Sequence, residues 1–205
     1  MAKQLGFFVS SKRCVQCHSC QVACKAVHNT ELGPNWRKVL NYWEGEYPNV
    51  ANKTISISCF HCEKPACLEI CPAGAISKRA EDGVVVVDQN ECVGCRNCEQ
   101  ACPYGAPQFG KNGKMQKCDL CLDRRAEGEQ PACVATCPGE ALAFGDVTEL
   151  ELLAAKKHAQ KLPGKTDPVA YVALGKQKGH APVSIDPFLR TLKPTDNGRQ
   201  SKESS

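Results

Sequence analysis

Apolar positions come in short bursts along this chain, separated by cysteine-rich and polar stretches. Leu5–Val9 reads as a short strand leading into one cysteine-rich loop, and Ile55–Ser58 reads the same way before a second. Ala75–Lys78, the turn signal Glu81-Asp82-Gly83 and the β-branched run Val84–Asp88 predict strand, turn, strand. Val147–Lys161 has helical composition and is followed by Pro163-Gly164, so a helix is expected to stop there. Beyond it, Pro168, Pro182, Pro187 and Pro194 punctuate a stretch poor in apolar residues, and 147–205 is expected to be a helix followed by an extended, partner-binding arm. No run is long and apolar enough to cross a bilayer. The start, MAKQLGFFVSSKRC, has no cleavage site, so neither direct membrane insertion nor a signal peptide is expected.

With six Phe, four Tyr and two Trp in 205 residues, an ordinary core would be thin. Sixteen cysteines change that picture. They form four groups of four. Group I is Cys14, Cys17, Cys20 and Cys24, spaced C-x2-C-x2-C-x3-C, and group III repeats that spacing at Cys92, Cys95, Cys98 and Cys102. Group II is Cys59, Cys62, Cys67 and Cys71, with a wider middle gap; group IV is Cys118, Cys121, Cys133 and Cys137, with the widest. Groups II, III and IV end in Cys-Pro (Pro72, Pro103, Pro138), whereas group I has Lys25 there.

Three thiolates two residues apart sit on a tight loop that wraps one face of an iron–sulfur cube. The fourth lies one helical turn on, points away, and ligates the other cluster of a two-cluster unit. The proline stops the helix, and the small residues of CPAGA and CPYGA let the backbone turn close to a cluster. Disulfides would suit the even count, but adjacent C-x2-C-x2-C triplets give poor bridging geometry and no secretion signal accompanies them. Zinc would suit isolated C-x2-C pairs, and group IV alone could pass for such a site; four groups in series point to iron and sulfide. The expected cofactors are four [4Fe–4S] clusters.

The formal net charge is +4 with every cysteine counted neutral. Four loaded sites would bring it to about −4. Lys12, Arg13, Lys25, Arg96 and Lys117, beside the cysteines, then read partly as compensation for buried anionic sites and partly as solvated surface. The balance gives no case for binding nucleic acid. His18 and His61 lie inside cysteine groups, and either a surface loop position or a hydrogen bond to a cluster thiolate is open to them. No nucleophile–base arrangement, phosphate-binding loop or paired carboxylates are present, so the chain is expected not to be an enzyme.

The strand–turn–strand between Cys71 and Cys92 is the connection expected inside one two-cluster unit, so groups II and III pair and groups I and IV pair across the chain. The fold class is then α+β: two nested ferredoxin-like two-cluster units with short strands, short helices and long loops. The outer unit is 1–24 with 106–146, the inner unit 55–105, and 25–54, which holds Trp36 and Trp43, is an insertion. The ligand sets would be Cys14, Cys17, Cys20 and Cys137; Cys59, Cys62, Cys67 and Cys102; Cys92, Cys95, Cys98 and Cys71; and Cys118, Cys121, Cys133 and Cys24. Sequential pairing of I with II is the alternative and would have to bridge the insertion.

The phrase SCFHCEKPACLEICPAGAISKRAEDGVVVVD followed by CVGCRNCEQACPYGAPQF, in this four-group order, resembles the iron–sulfur electron-transfer subunit of dimethyl sulfoxide reductase and its molybdopterin-enzyme relatives. The likeness covers Gly6 to Gly145. It implies a relay of electrons between a membrane anchor subunit that handles quinol and a molybdopterin catalytic subunit, with group III toward the former and group I toward the latter. Nitrate-reductase relatives carry Trp at the second position of group III and hold a [3Fe–4S] cluster there; Cys95 stands at that position here. The resemblance also implies a peripheral place on the inner membrane, with the periplasmic face, reached by co-export with the catalytic subunit, favoured over the cytoplasmic one. A free polyferredoxin, or a ferredoxin-like carrier serving a hydrogenase, is the alternative.

Overall fold

A computed structural model describes residues 3–174 of the chain. The elements run β1 (Leu5–Ser10), α1 (Ser19–Val27), β2 (Lys38–Glu44), β3 (Ala51–Ile57), α2 (Ala66–Glu69), β4 (Ile76–Lys78) and β5 (Val85–Val87). Then follow α3 (Asn97–Ala101), β6 (Gln108–Phe109), β7 (Met115–Gln116), α4 (Leu122–Ala126) and α5 (Ala132–Ala135). The last are β8 (Leu142–Asp146), α6 (Val147–Lys157), β9 (Gln160–Lys161) and β10 (Ala170–Ala173). The architecture is α+β, with short elements and long loops, as the broken apolar pattern predicts.

The main sheet has the order β8-β1-β10-β9. Strand β1 is buried along its whole length, which is why LGFFVS carries no polar alternation: it is flanked on both edges and covered on both faces. It lies antiparallel to β8, with Phe7 opposite Phe144, and parallel to β10, with Phe8 opposite Tyr171. The strand entering group I and the strand leaving group IV are therefore neighbours. The inner strand–turn–strand is β4–β5, antiparallel, with Ile76 opposite Val87, and Gly83 takes a positive φ of 68° in the turn between them.

Three expectations need correction. The helix predicted over Val147–Lys161 ends at Lys157, because His158 adopts the left-handed conformation and Gln160–Lys161 is a strand; Pro163-Gly164 is not what stops it. Its start is a capping box, with the Asp146 side chain accepting from the Thr148 N–H and Glu149 reaching back to the Asp146 N–H. The segment after residue 162 is not an arm as far as it is described: β10 is fully buried in the main sheet, its residues Ala-Tyr-Val-Ala apolar throughout. The remainder of the expected arm, with Pro182, Pro187 and Pro194, lies outside the described residues. Finally, β3 begins at Ala51 and runs through the expected division at 54/55, pairing with β2 from Lys38↔Ile57 to Glu44↔Ala51. The stretch 25–54 thus supplies β2, the turn and the first four residues of β3, whose remaining residues lead into group II. Trp36 packs against the core, while Trp43 and Tyr47 stand exposed at the hairpin's far end.

Polar contacts tie the β4–β5 turn to its neighbours. Asp82, in the inner turn, bridges Arg79 at 3.1 Å and Arg125 of α4 at 3.0 Å. The Gln4 amide donates to the carbonyls of Leu5, His61 and Gly83.

Candidate iron–sulfur cluster sites

The four cysteine groups share one local conformation. The residue just before the second cysteine has a positive φ in every group: Gln16, His61, Gly94 and Leu120. In groups I and III the residue after the second cysteine, His18 or Arg96, does so as well. A left-handed non-glycine residue costs roughly 1–2 kcal/mol, so the same strain at matched positions marks loops shaped for a ligand rather than for the chain alone. Each third cysteine is then the second residue of a helix: Cys20 in α1, Cys67 in α2, Cys98 in α3 and Cys133 in α5. Helices α2 and α5 both start after a proline in the sequence Pro-Ala-Cys, at Pro65 and Pro131. Groups II and IV are therefore local copies of each other despite their different gaps, and that repeated tripeptide is the sequence signal for pairing each with a C-x2-C-x2-C-x3-C group.

All sixteen cysteines are free thiols, and they lie in four quartets. Cys71, Cys92, Cys95 and Cys98 line one cavity with Met115 and Phe109. Cys59, Cys62, Cys67 and Cys102 line a second with Tyr104 and Lys117. Cys14, Cys17, Cys20 and Cys137 line a third with Val39 and Leu142. Cys24, Cys118, Cys121 and Cys133 are all buried where α1 packs on α5, near enough to act on one another's charge. In each quartet the fourth cysteine of one group joins the first three of another. Gly74 and Gly105, just after two of those fourth cysteines, have positive φ, and so supply the turn that CPAGA and CPYGA suggest.

Backbone N–H groups aim at the sulfurs. Met115 donates to Cys92 Sγ at 3.4 Å, Leu120 to Cys118 Sγ at 3.4 Å and Ala141 to Cys137 Sγ at 3.2 Å. Such donors stabilise thiolates. At several of the sulfurs, however, burial works against the thiolate form. Burial pushes Cys24, Cys62 and Cys67 up to about 12 and Cys118 well above its ordinary value. A buried quartet of this kind needs a cationic centre to stabilise four thiolates. Donor number, apolar lining and inward N–H groups all fit a [4Fe–4S] cube.

The basic residues divide. Lys117 is buried; its ammonium donates to the carbonyls of Val85 and Cys118, beside the second cavity. Arg13 and Arg96 instead pair with exposed Glu140 and half-buried Glu99, and Lys25 donates to the carbonyls of Glu31 and Pro34. Arg37, which carries no signal in the sequence, is buried among the cysteines of groups I and IV. His61 is fully buried rather than on a surface loop, its Nδ1 accepting from the Val85 N–H, and burial holds its pKa well below the usual histidine value. His18 is exposed, 3.4 Å from the Gln21 amide. The histidine that does reach a thiol is His28, with Nε2 3.3 Å from Cys121 Sγ and its ring stacked 4.4 Å from Trp36.

Four thiol quartets on this α+β scaffold define an iron–sulfur protein. Residues 50–147 match the family model described as a 4Fe-4S dicluster domain. The chain is 47% identical over 167 residues to an anaerobic dimethyl sulfoxide reductase chain of Escherichia coli, covering 77% of this chain and 79% of that one. It is 37% identical to the formate dehydrogenase iron-sulfur subunit of Wolinella succinogenes (72% and 84% covered). It is 36% identical to a sulfite dehydrogenase subunit of Allochromatium vinosum (70% and 69% covered). The chain belongs to this family of iron–sulfur electron-transfer subunits of oxidoreductase complexes, and it is a non-catalytic carrier of electrons. No described helix is long and apolar enough to cross a membrane.

Proposed function

We propose that this chain relays electrons through four [4Fe–4S] clusters, one in each quartet, between a membrane anchor subunit that handles quinol and a molybdopterin catalytic subunit, as its likeness to the dimethyl sulfoxide reductase relative suggests. Each cluster, when bound, supplies a centre that takes up and releases one electron without bond chemistry. The chain's own residues hold the four sites at fixed spacing, exclude water from the middle of the row and leave its ends accessible.

The observation that carries the reading is the pattern of exposure. Cys17 and Cys95 are exposed cysteines, one in each of two quartets, and each has an exposed valine two residues earlier: Val15 at 65% and Val93 at 71%. Every cysteine of the Cys24–Cys118–Cys121–Cys133 quartet is buried, and the Cys59–Cys62–Cys67–Cys102 quartet has no exposed member. Two open ends and two enclosed middles suit a wire held between two partners better than a freely diffusing carrier, which needs one open site. On this reading the Cys95 end faces the quinol-handling partner and the Cys17 end the catalytic one. The complex lies peripherally on the inner membrane, with the periplasmic face, reached by riding with the catalytic subunit, preferred.

Cys95→Ser in the assembled complex tests this. Quinol-driven turnover should be lost while turnover with a dye that reduces the catalytic subunit directly is spared. Equal loss of both, with assembly intact, would sink the assigned orientation.

A further inference from the structure

Arg37 lies just before β2, and its side chain is 1% exposed. Its guanidinium stacks over the Phe7 ring of β1, 4.4 Å from the centroid. Nη1 donates to Ser56 Oγ at 3.2 Å and Nη2 to Ser58 Oγ at 2.9 Å. Both partners are neutral, and among the described residues no carboxylate makes an ion pair with it. A buried guanidinium with neither water nor a carboxylate is costly unless another anion balances it. The groups whose charge acts on Arg37 are Cys133, Cys118, Cys20 and Cys24, drawn from two different quartets. Burial opposes its charge, and these four cysteines more than offset that.

The hydroxyls extend the link. Ser56 Oγ lies 3.4 Å from Cys20 Sγ. Because Ser56 accepts from Arg37, its own hydroxyl hydrogen is free to point at the sulfur, so the cation polarises a donor aimed at a ligand of the group I site. Ser58 Oγ, held the same way, donates to the Cys59 carbonyl at 3.3 Å. This side chain, just before the hairpin of residues 38–57, thus reaches Cys20 of one outer site through Ser56 and feels the charge of Cys24, Cys118 and Cys133 of the other.

We propose that Arg37 is a positioning residue and fixed internal cation that raises the reduction potentials of the Cys14–Cys17–Cys20–Cys137 and Cys24–Cys118–Cys121–Cys133 sites, and that the negative charge of those loaded sites is its counter-ion. This rests on the proposal that the quartets hold clusters. Adding one electron makes a site more negative by one charge, and a cation nearby favours that form. No proton or bond is involved; in the test the electron comes from mediator dyes poised with dithionite.

The experiment is an anaerobic potentiometric titration, followed by EPR, of the complex carrying Arg37→Gln or Arg37→Lys. Iron content of the unaltered complex is measured first, since absence of clusters there would refute the underlying reading and not the role of Arg37. Arg37→Gln should lower the potentials of the two outer-unit sites by at least tenfold in the one-electron equilibrium, about 59 mV. The site of Cys71, Cys92, Cys95 and Cys98 should not move, and Arg37→Lys should restore at least half the loss. Unchanged outer potentials at full iron content, an equal shift at all four sites, or a lysine variant as low as the glutamine one would overturn the proposal. If Arg37→Gln fails to assemble, Ser56→Ala decides. A potential lowered at the group I site alone supports the proposal, and no shift at that site refutes it.

Discussion

Gly139, two residues after Cys137, passes so close to the group I loop that a Cβ placed on it would lie 2.3 Å from the Arg13 carbonyl oxygen. Ordinary contact begins near 3.4 Å, so Gly139→Ala must part the two loops by roughly 1 Å. Neither side yields easily, because both atoms belong to the main chain and Arg13 is tied to Glu140 at 2.7 Å. Overpacking of this kind costs roughly 1–3 kcal/mol. The displacement falls between Cys14 and Cys137, which share a quartet, so the damage should be local. In a chain of this size the thermal midpoint should drop by about 2–12 °C. The site of Cys14, Cys17, Cys20 and Cys137 should lose iron while the three others keep theirs. Iron and sulfide analysis, EPR of the anaerobically prepared protein and thermal unfolding followed by circular dichroism read these effects. A variant with full iron and an unchanged midpoint would refute the reasoning that groups I and IV meet at this contact.

Two further outcomes are expected. Cys71→Ser should damage the site of Cys92, Cys95 and Cys98 and leave that of Cys59, Cys62 and Cys67 largely intact, as EPR can distinguish; loss of the group II site instead would rule out crossed ligation. Under an iron chelator in mild denaturant, the sites with exposed Cys17 and Cys95 should bleach first and the fully buried Cys24–Cys118–Cys121–Cys133 site last; simultaneous loss, followed by absorption and EPR, would contradict the exposure argument.

Much of the site is legible in the sequence because cluster loops impose spacing that no other chemistry explains well. The cysteine positions, the inner hairpin around Gly83 and the strand at Leu5 all follow from local pattern. What escapes depends on contacts distant in sequence. Strand β10 looks like a proline-flanked tail until β1 is present to cover Ala170–Ala173. The hairpin β2–β3 hides because β2 reads Lys-Val-Leu-Asn-Tyr-Trp-Glu, half exposed, with only its partner to define it. Arg37 looks like any surface arginine, since its burial is created by β1, β3 and two cysteine groups meeting around it. His28 is equally mute in sequence: the thiol it reaches lies 93 positions away, and Trp36, which stacks on it, falls in a stretch that reads as an insertion. His61 misleads for the opposite reason, because a loop position in a small protein suggests solvent, yet this loop is buried where the inner and outer units join.

The central claim is that four quartets hold four cubes. Iron and acid-labile sulfide, measured on the anaerobically purified protein together with low-temperature EPR in the oxidised and reduced states, test it most directly. About sixteen irons and sixteen sulfides per chain are expected, with no [3Fe–4S] signal in the oxidised sample. About twelve irons, zinc in the group IV site, or a [3Fe–4S] signal that survives strict anaerobic handling would contradict it.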